Sequence, residues 1–173
     1  MPLHPGAREL LSFLQKNPGV RARIAAPPNA TLVYAGNFFR PVWQEIEQMR
    51  RTNADAASKQ LLPDVLARIQ TPGQPHPTLL AWAKAIDGLQ PWKDNGFVVW
   101  RALSGIFVSN ATGKVSFYIG SNVTKAEKVF AATELPVLLR NTHVDPITKD
   151  LLAYYDRCIK AGQSAVNIGI ITS

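Results

Sequence analysis

Residues 96–120 read GFVVWRALSGIFVSNATGKVSFYIG, and this stretch predicts a helix followed by a strand. In its first part, Val99, Leu103 and Ile106 recur at the spacing that places side chains on one face of an α-helix. The segment 115–120 is rich in β-branched and aromatic residues, which favours a strand. We therefore expect a helix that begins next to Gly96 and a strand that ends at residue 120.

The flanking sequence carries further patterns of both kinds. Apolar residues with a period near 3.6 predict helices, and short β-prone runs predict strands. The turn-forming segment 71–77 (TPGQPHP) is a surface loop between predicted helices. The other predicted helices are 6–16, 41–51, 57–69, 79–89 and 147–161, and the other predicted strands are 31–35 and 165–171.

This order of elements predicts a mixed fold, between the α+β and α/β classes. We expect one domain over residues 1–173, with a helical N-terminal part (about 1–112) packed on a C-terminal part (about 113–173). The second part is expected to form a small parallel sheet flanked by helices.

The composition limits the possible functions. With 19 Lys and Arg against 12 Asp and Glu, the 173 residues carry a net charge of +7, which suits an anionic partner. The basic residues are scattered, with Arg50 and Arg51 the only adjacent pair, so the pattern does not favour nucleic acid. A basic RNA-directed toxin, or a non-catalytic nucleotide-binding protein, remains the competing interpretation. The single Cys158 excludes an intramolecular disulfide and a cysteine zinc cluster.

Common catalytic and targeting motifs are absent from the sequence. There is no P-loop, GxGxxG or GxSxG, and His4, His76 and His143 lack metal-ligand spacing. No apolar stretch is long enough for a membrane span, and the N-terminal residues lack a signal-peptide pattern. We expect a cytoplasmic protein, or one delivered by a route without a classical signal peptide.

Two segments of the sequence contain candidate site residues. Glu134 lies in the apolar segment 129–139 (VFAATELPVLL), where a desolvated carboxylate would indicate a functional site. The alternative is an exposed glutamate at a turn before Pro136. Trp100 and Ser104, four residues apart, lie on one side of the predicted helix. A lone Trp there is more often a core residue than a ligand platform.

The arrangement of these residues resembles the ADP-ribosyl cyclase and NAD glycohydrolase family. A Trp-basic-x-x-Ser helix (Trp100, Arg101, Ser104) precedes the strand VSFYIGS, and a Phe-x-x-x-Glu motif (Phe130 to Glu134) follows. The order and the spacing match together, and this central segment is the specific part of the resemblance.

The resemblance extends in weaker form to both sides. The strand end LVYAG is similar to the family's first aromatic strand end, with Tyr34 where a Trp is usual. Thr78 and Leu79 match the start of a Thr-Leu-Glu motif that leads to a Trp, here Trp92. The predicted helix and strand at the C-terminal end look like the family's closing elements.

Several positions depart from the family pattern. Leu80 stands where the motif has an acid that influences the balance between cyclization and hydrolysis. Gly36 stands where a phosphate-contacting Arg is expected, and Asn37 or Arg40 is the nearest substitute. The disulfides of animal members are absent, which points to a divergent microbial relative or another disulfide-free branch.

The resemblance implies an enzyme that consumes NAD or NADP, with no metal and no separate redox cofactor. It implies that Glu134 stabilises the oxocarbenium-like ribosyl centre and that Trp100 and Tyr34 stack on the nicotinamide ring. Ser104 would hydrogen-bond the ribose or its phosphate. The amides around Phe130 would hold the pyrophosphate, together with two basic side chains, Arg101 and Arg40.

The implied reaction releases nicotinamide and has two further outcomes. Water gives ADP-ribose, and attack by the substrate's own adenine gives cyclic ADP-ribose; with Leu80 in place of the acid, we expect hydrolysis first. A small, basic, NAD-consuming domain is typical of a toxin or effector module. The partner expected for such a module is an acidic immunity or inhibitor protein.

Overall fold

A computed structural model of the chain describes residues 3–35, 46–48, 50–52, 54–119, 133–146, 148–150, 153, 157 and 170–171. Within these residues the protein combines helices with a small sheet, as in the α+β class. The helices are α1 (Pro5–Lys16), α2 (Pro18–Arg23), α3 (Ala54–Ala57), α4 (Leu62–Leu66), α5 (Leu79–Asp87), α6 (Gly96–Ser109) and α7 (Leu135–Arg140), with a 3-10 helix at Trp92–Asp94. The strands are β1 (Thr31–Ala35), β2 (Val115–Ile119) and β3 (Ile170–Ile171).

The chain forms two compact units. The helical unit comprises Met1–Ala25 and Leu62–Asn110, and the sheet unit comprises Ala26–Leu61 and Ala111–Ser173. The segment before Leu62 that contains β1 therefore belongs with the sheet, whereas the sequence analysis assigned it to the helical part. That one domain spans residues 1–173 stays a prediction.

Helix α6 is the centre of the helical unit. Val99 and Leu103 of the predicted stripe are buried, whereas Ile106 is half-buried and Phe107, on the adjacent stripe, is buried. Helices α1, α4 and α5 and the 3-10 helix all contact α6. The predicted helices 6–16 and 79–89 are confirmed as α1 and α5, with ends that differ by a residue or two.

Helix α5 begins at a side-chain cap. The Thr78 hydroxyl accepts a hydrogen bond from the Ala81 backbone N–H at 3.1 Å, so it satisfies one of the donors that a helix start leaves unpaired. The apolar residues Leu79, Trp82 and Ile86 are buried. Helix α5 therefore has a fixed start and a buried face, and it ends at Asp87.

The sheet unit is organised by the pairing of β1 with β2. The two strands are parallel, with Thr31 opposite Val115 and Tyr34 opposite Tyr118. Strand β3 pairs antiparallel with β2, with Ile170 opposite Tyr118. The expectation of a parallel sheet therefore holds for β1 and β2 and is wrong for β3, because side-chain pattern does not reveal strand direction.

The predicted helix 57–69 is also wrong in its first part. Gln60 does not continue a helix: its N–H donates to the Ala30 carbonyl at 2.7 Å, and its own carbonyl accepts from Leu32 N–H at 2.9 Å. These backbone groups are used by the edge of β1 and are lost to a helix. Helix α4 then begins at Leu62, next to Pro63, which suits a first helical turn.

Candidate functional site

Three predicted site residues lie on α6 in the helical unit. Trp100 is half-buried, Arg101 is exposed, and Ser104 is buried with 4% of its surface exposed. The helical spacing places Trp100 and Ser104 one turn apart on the same side of α6. Trp100 and Ser104 of the Trp-basic-x-x-Ser pattern therefore share one side of α6, whereas Arg101, the next residue after Trp100, does not lie on that side.

The Trp100 ring is held by a carboxylate that the sequence analysis did not identify. Trp100 Nε1 donates to Asp87 Oδ1 at 3.0 Å, and Trp92 Nε1 donates to the same oxygen at 2.5 Å. Hydrogen bonds from N–H groups to an ionised oxygen are short and strong. Asp87 Oδ1, at the end of α5, thus restrains the indole rings of Trp92 and Trp100. We call Asp87, Trp92 and Trp100 the indole clamp.

The indole clamp is tightly packed at Gly96, the first residue of α6. A Cβ built on Gly96 would lie 2.5 Å from Trp92 Nε1 and 2.8 Å from Asp87 Oδ1, both far inside van der Waals contact. The other side of Trp92 meets Phe97, with ring centroids 5.4 Å apart and planes at 52°. Only glycine therefore fits at position 96 without a shift of Trp92 or Asp87.

Glu134 belongs to the sheet unit and is buried. Its side chain is 8% exposed, and the residues that follow, Leu135 and Leu138, are buried in α7. The backbone of Glu134 is helical, so the residue continues directly into α7. The alternative of an exposed glutamate at a turn before Pro136 is wrong, because Glu134 is buried and its backbone is helical. The desolvated carboxylate expected from the apolar sequence is present.

The remaining predicted site residues have less structural definition. Tyr34 lies in β1 of the sheet unit, opposite Tyr118. Arg40 and Phe130, and the divergent position Gly36, lie outside the described residues. Leu80 is half-buried in α5.

The predicted site residues thus fall into two groups. Trp100, Arg101 and Ser104 are brought together on α6, whereas Tyr34 and Glu134 belong to the sheet unit. That Trp100, Tyr34 and Glu134 act on one substrate stays a prediction.

Neither a metal centre nor a membrane span is found in the described part of the chain. Among those residues, no group of three or more His, Cys, Asp and Glu side chains could hold a metal ion. None of the helices described there is long and apolar enough to cross a membrane.

Comparison of the chain with protein-family models, with curated proteins and with solved structures finds no match. The interpretation of the site therefore depends on the chemistry of its own residues.

Asp87 is the residue that sequence reasoning missed. It lies 5 residues before Trp92 and 13 before Trp100, and these separations match no helical or strand period. The available signal was the grouping of an acid at a predicted helix end with two nearby tryptophans. Indole N–H groups are donors without acceptor capacity, so half-buried tryptophans call for an acceptor nearby.

Proposed function

We propose that this protein cleaves the bond between nicotinamide and ribose in NAD or NADP. The observation that supports the proposal most is the burial of Glu134, which is 8% exposed in the sheet unit. A carboxylate removed from water interacts more strongly with a developing positive charge than one exposed to solvent. The resemblance of the residue motifs to the ADP-ribosyl cyclase and NAD glycohydrolase family is the basis for proposing this bond as the one that is cleaved.

In the proposed reaction, the bond between C1′ of the ribose and the pyridinium nitrogen breaks. Its electron pair stays on nitrogen, so nicotinamide leaves as a neutral molecule and the ribosyl carbon becomes oxocarbenium-like. The Glu134 carboxylate stabilises this positive centre and orients the ribose hydroxyls. Water then adds at C1′ and loses a proton, which gives ADP-ribose.

The aromatic residues serve to bind the leaving ring. A pyridinium ring carries a positive charge and stacks favourably on an electron-rich indole face. The edge of Trp100 is restrained through its N–H, and we propose the face of this half-buried ring as the stacking surface. Tyr34 is proposed as a second aromatic wall, and Ser104 as a hydrogen-bonding group for the ribose or its phosphate.

The second product depends on what reaches the ribosyl centre. Attack by the adenine of the same substrate gives cyclic ADP-ribose and requires a folded substrate and the exclusion of water. With the half-buried, uncharged Leu80 at the position that influences this balance, we propose hydrolysis as the main outcome.

The proposed biological setting is that of a toxin or effector module. The net charge of +7 suits an anionic substrate and an acidic immunity or inhibitor protein. We propose action inside a cell.

The test is product analysis by chromatography. Purified protein is incubated with NAD, and separately with NADP, and nicotinamide, ADP-ribose and cyclic ADP-ribose (or their phosphorylated forms) are resolved. We expect nicotinamide from the wild type and none above background from Glu134→Gln. Glu47→Gln, at an exposed glutamate of the same unit, is the matched control and should retain full activity. Absence of nicotinamide from folded wild type with both substrates would overturn the proposal.

A further inference from the structure

We propose that Asp87 is a positioning residue, which holds the indoles of Trp92 and Trp100 so that the face of Trp100 is presented to the substrate ring. The inference rests on the proposed function for the identity of that ring. The restraint itself rests on the described geometry: Asp87 Oδ1 accepts 2.5 Å and 3.0 Å hydrogen bonds from Trp92 and Trp100.

The position of Asp87 in the fold suits this role. It is the last residue of α5, and α5 is anchored at its other end by the Thr78 cap and along its length by buried Trp82 and Ile86. Trp100 lies one turn into α6, the most contacted helix of the unit. The hydrogen bond therefore joins two well-fixed helices and restrains the orientation of the Trp100 ring.

A stacking platform is sensitive to this restraint. Ring stacking requires the two planes to be parallel within a narrow range, and a displacement of about 1 Å in a binding group can cost up to about a hundredfold in rate. Without an acceptor at position 87, both indole N–H groups would turn to find other partners. The Trp100 ring would then meet the substrate in several orientations.

The platform contacts the ring in the bound substrate and in the transition state alike, so its loss affects binding more than chemistry. Asp87→Leu, which removes the acceptor, is expected to raise KM for NAD about tenfold, with a smaller change in kcat. Asp87→Asn keeps a side-chain carbonyl oxygen at the same place and should stay within about threefold of the wild-type KM. Glu134→Gln should show the opposite pattern, with kcat lowered and KM retained.

The closing experiment combines steady-state kinetics with near-ultraviolet circular dichroism of the substrate-free protein, which reports the packing of Trp rings. We expect Asp87→Leu to change both the aromatic spectrum and KM, and Asp87→Asn to restore both. Asp94→Leu, at the end of the neighbouring 3-10 helix, is the matched control and should leave both unchanged. Far-ultraviolet spectra and melting curves check that each variant is folded.

A double-variant cycle tests whether Asp87 acts through Trp100. In a Trp100→Phe background the ring has no N–H, so adding Asp87→Leu should raise KM much less than it does in the wild type. Fully additive effects, or a wild-type spectrum and KM for Asp87→Leu, would overturn the inference and leave the proposed function intact. If the wild type releases no nicotinamide, the proposed function fails, and the spectra alone decide whether Asp87 positions the indoles.

Discussion

Thr31 is fully buried in β1, and its hydroxyl oxygen has no hydrogen-bond partner among the described residues. An unsatisfied buried hydroxyl costs free energy, since it has given up water without replacement. We expect Thr31→Val to raise the free energy of unfolding by about 1 kcal/mol, measured by urea denaturation.

Thr148 provides the matched control for this prediction. It is equally buried, but its Oγ1 accepts a hydrogen bond from Val115 N–H at 3.4 Å. Thr148→Val should therefore lower the free energy of unfolding by about 1 kcal/mol. Equal losses of stability in both variants would contradict the assignment of Thr31 as the unsatisfied group.

Gly96 is a second residue whose tolerance to substitution depends on its neighbours. A methyl group there would collide with the indole clamp, so Gly96→Ala should lower the free energy of unfolding by about 1–3 kcal/mol, although Ala is the better helix former. Gly19, in α2, has nothing within 4 Å of a built Cβ, and Gly19→Ala should be neutral or slightly stabilising. The melting temperatures of Gly96→Ala and Gly19→Ala separate the effect of a steric collision from that of helix propensity. Equal melting temperatures for the two variants would contradict the tight packing around Gly96.

At the residue scale, sequence reasoning identified some side chains and missed others for definite reasons. The burial of Glu134 follows from its apolar neighbours in the chain, and the common side of Trp100 and Ser104 follows from helical spacing. Asp87 could not be found in this way, since its two hydrogen bonds join separate elements and depend on how α5 and α6 pack.

At the scale of elements, the start of α5 carries a testable cap. Thr78→Ala removes the acceptor for Ala81 N–H and should lower the free energy of unfolding by about 1 kcal/mol. Thr78→Ser keeps the hydroxyl oxygen and should lower the free energy of unfolding by only about a few tenths of a kcal/mol. If chemical denaturation gives the same midpoint for Thr78→Ala and the wild type, the cap does not stabilise α5.

The same scale shows where periodicity succeeds and where it fails. Helices α1, α5 and α6 and strands β1 and β2 follow the predicted segments closely, since each has an apolar face with a clear period and a turn former at its end. The segment 57–69 has helical spacing, yet Gln60 pairs with the backbone at Ala30 and Leu32 instead. Such pairing between distant segments leaves no trace in a local pattern.

At the scale of the whole molecule, ligand binding should appear as a gain in stability. We expect Glu134→Gln to bind NAD without cleaving it. Saturating NAD should therefore raise the Tm of this variant by several degrees, roughly 5 °C at an NAD concentration of one hundred times Kd. The shift should be smaller for the double variant that also carries Trp100→Ala. Single-stranded RNA should cause no comparable shift.

Stabilisation by RNA in place of NAD would favour the competing interpretation, a basic RNA-directed toxin. A Tm raised by RNA and not by NAD, with binding that weakens steeply as salt increases, would indicate that the net charge of +7 serves nucleic acid. The sequence predicted a mixed fold between the α+β and α/β classes, because helical and strand patterns are local. The sequence could not predict that residues 26–61 belong to the sheet unit, since β1 pairs with a strand far along the chain.

The central claim is that Glu134 acts in the chemical step of NAD cleavage. The most direct measurement is the rate of nicotinamide release at saturating NAD by wild type and by Glu134→Gln, with the melting temperature of each protein recorded. We expect a kcat at least about a hundredfold lower for Glu134→Gln, with Tm and KM retained. Equal kcat values for the two proteins, or no release by folded wild type, would contradict it.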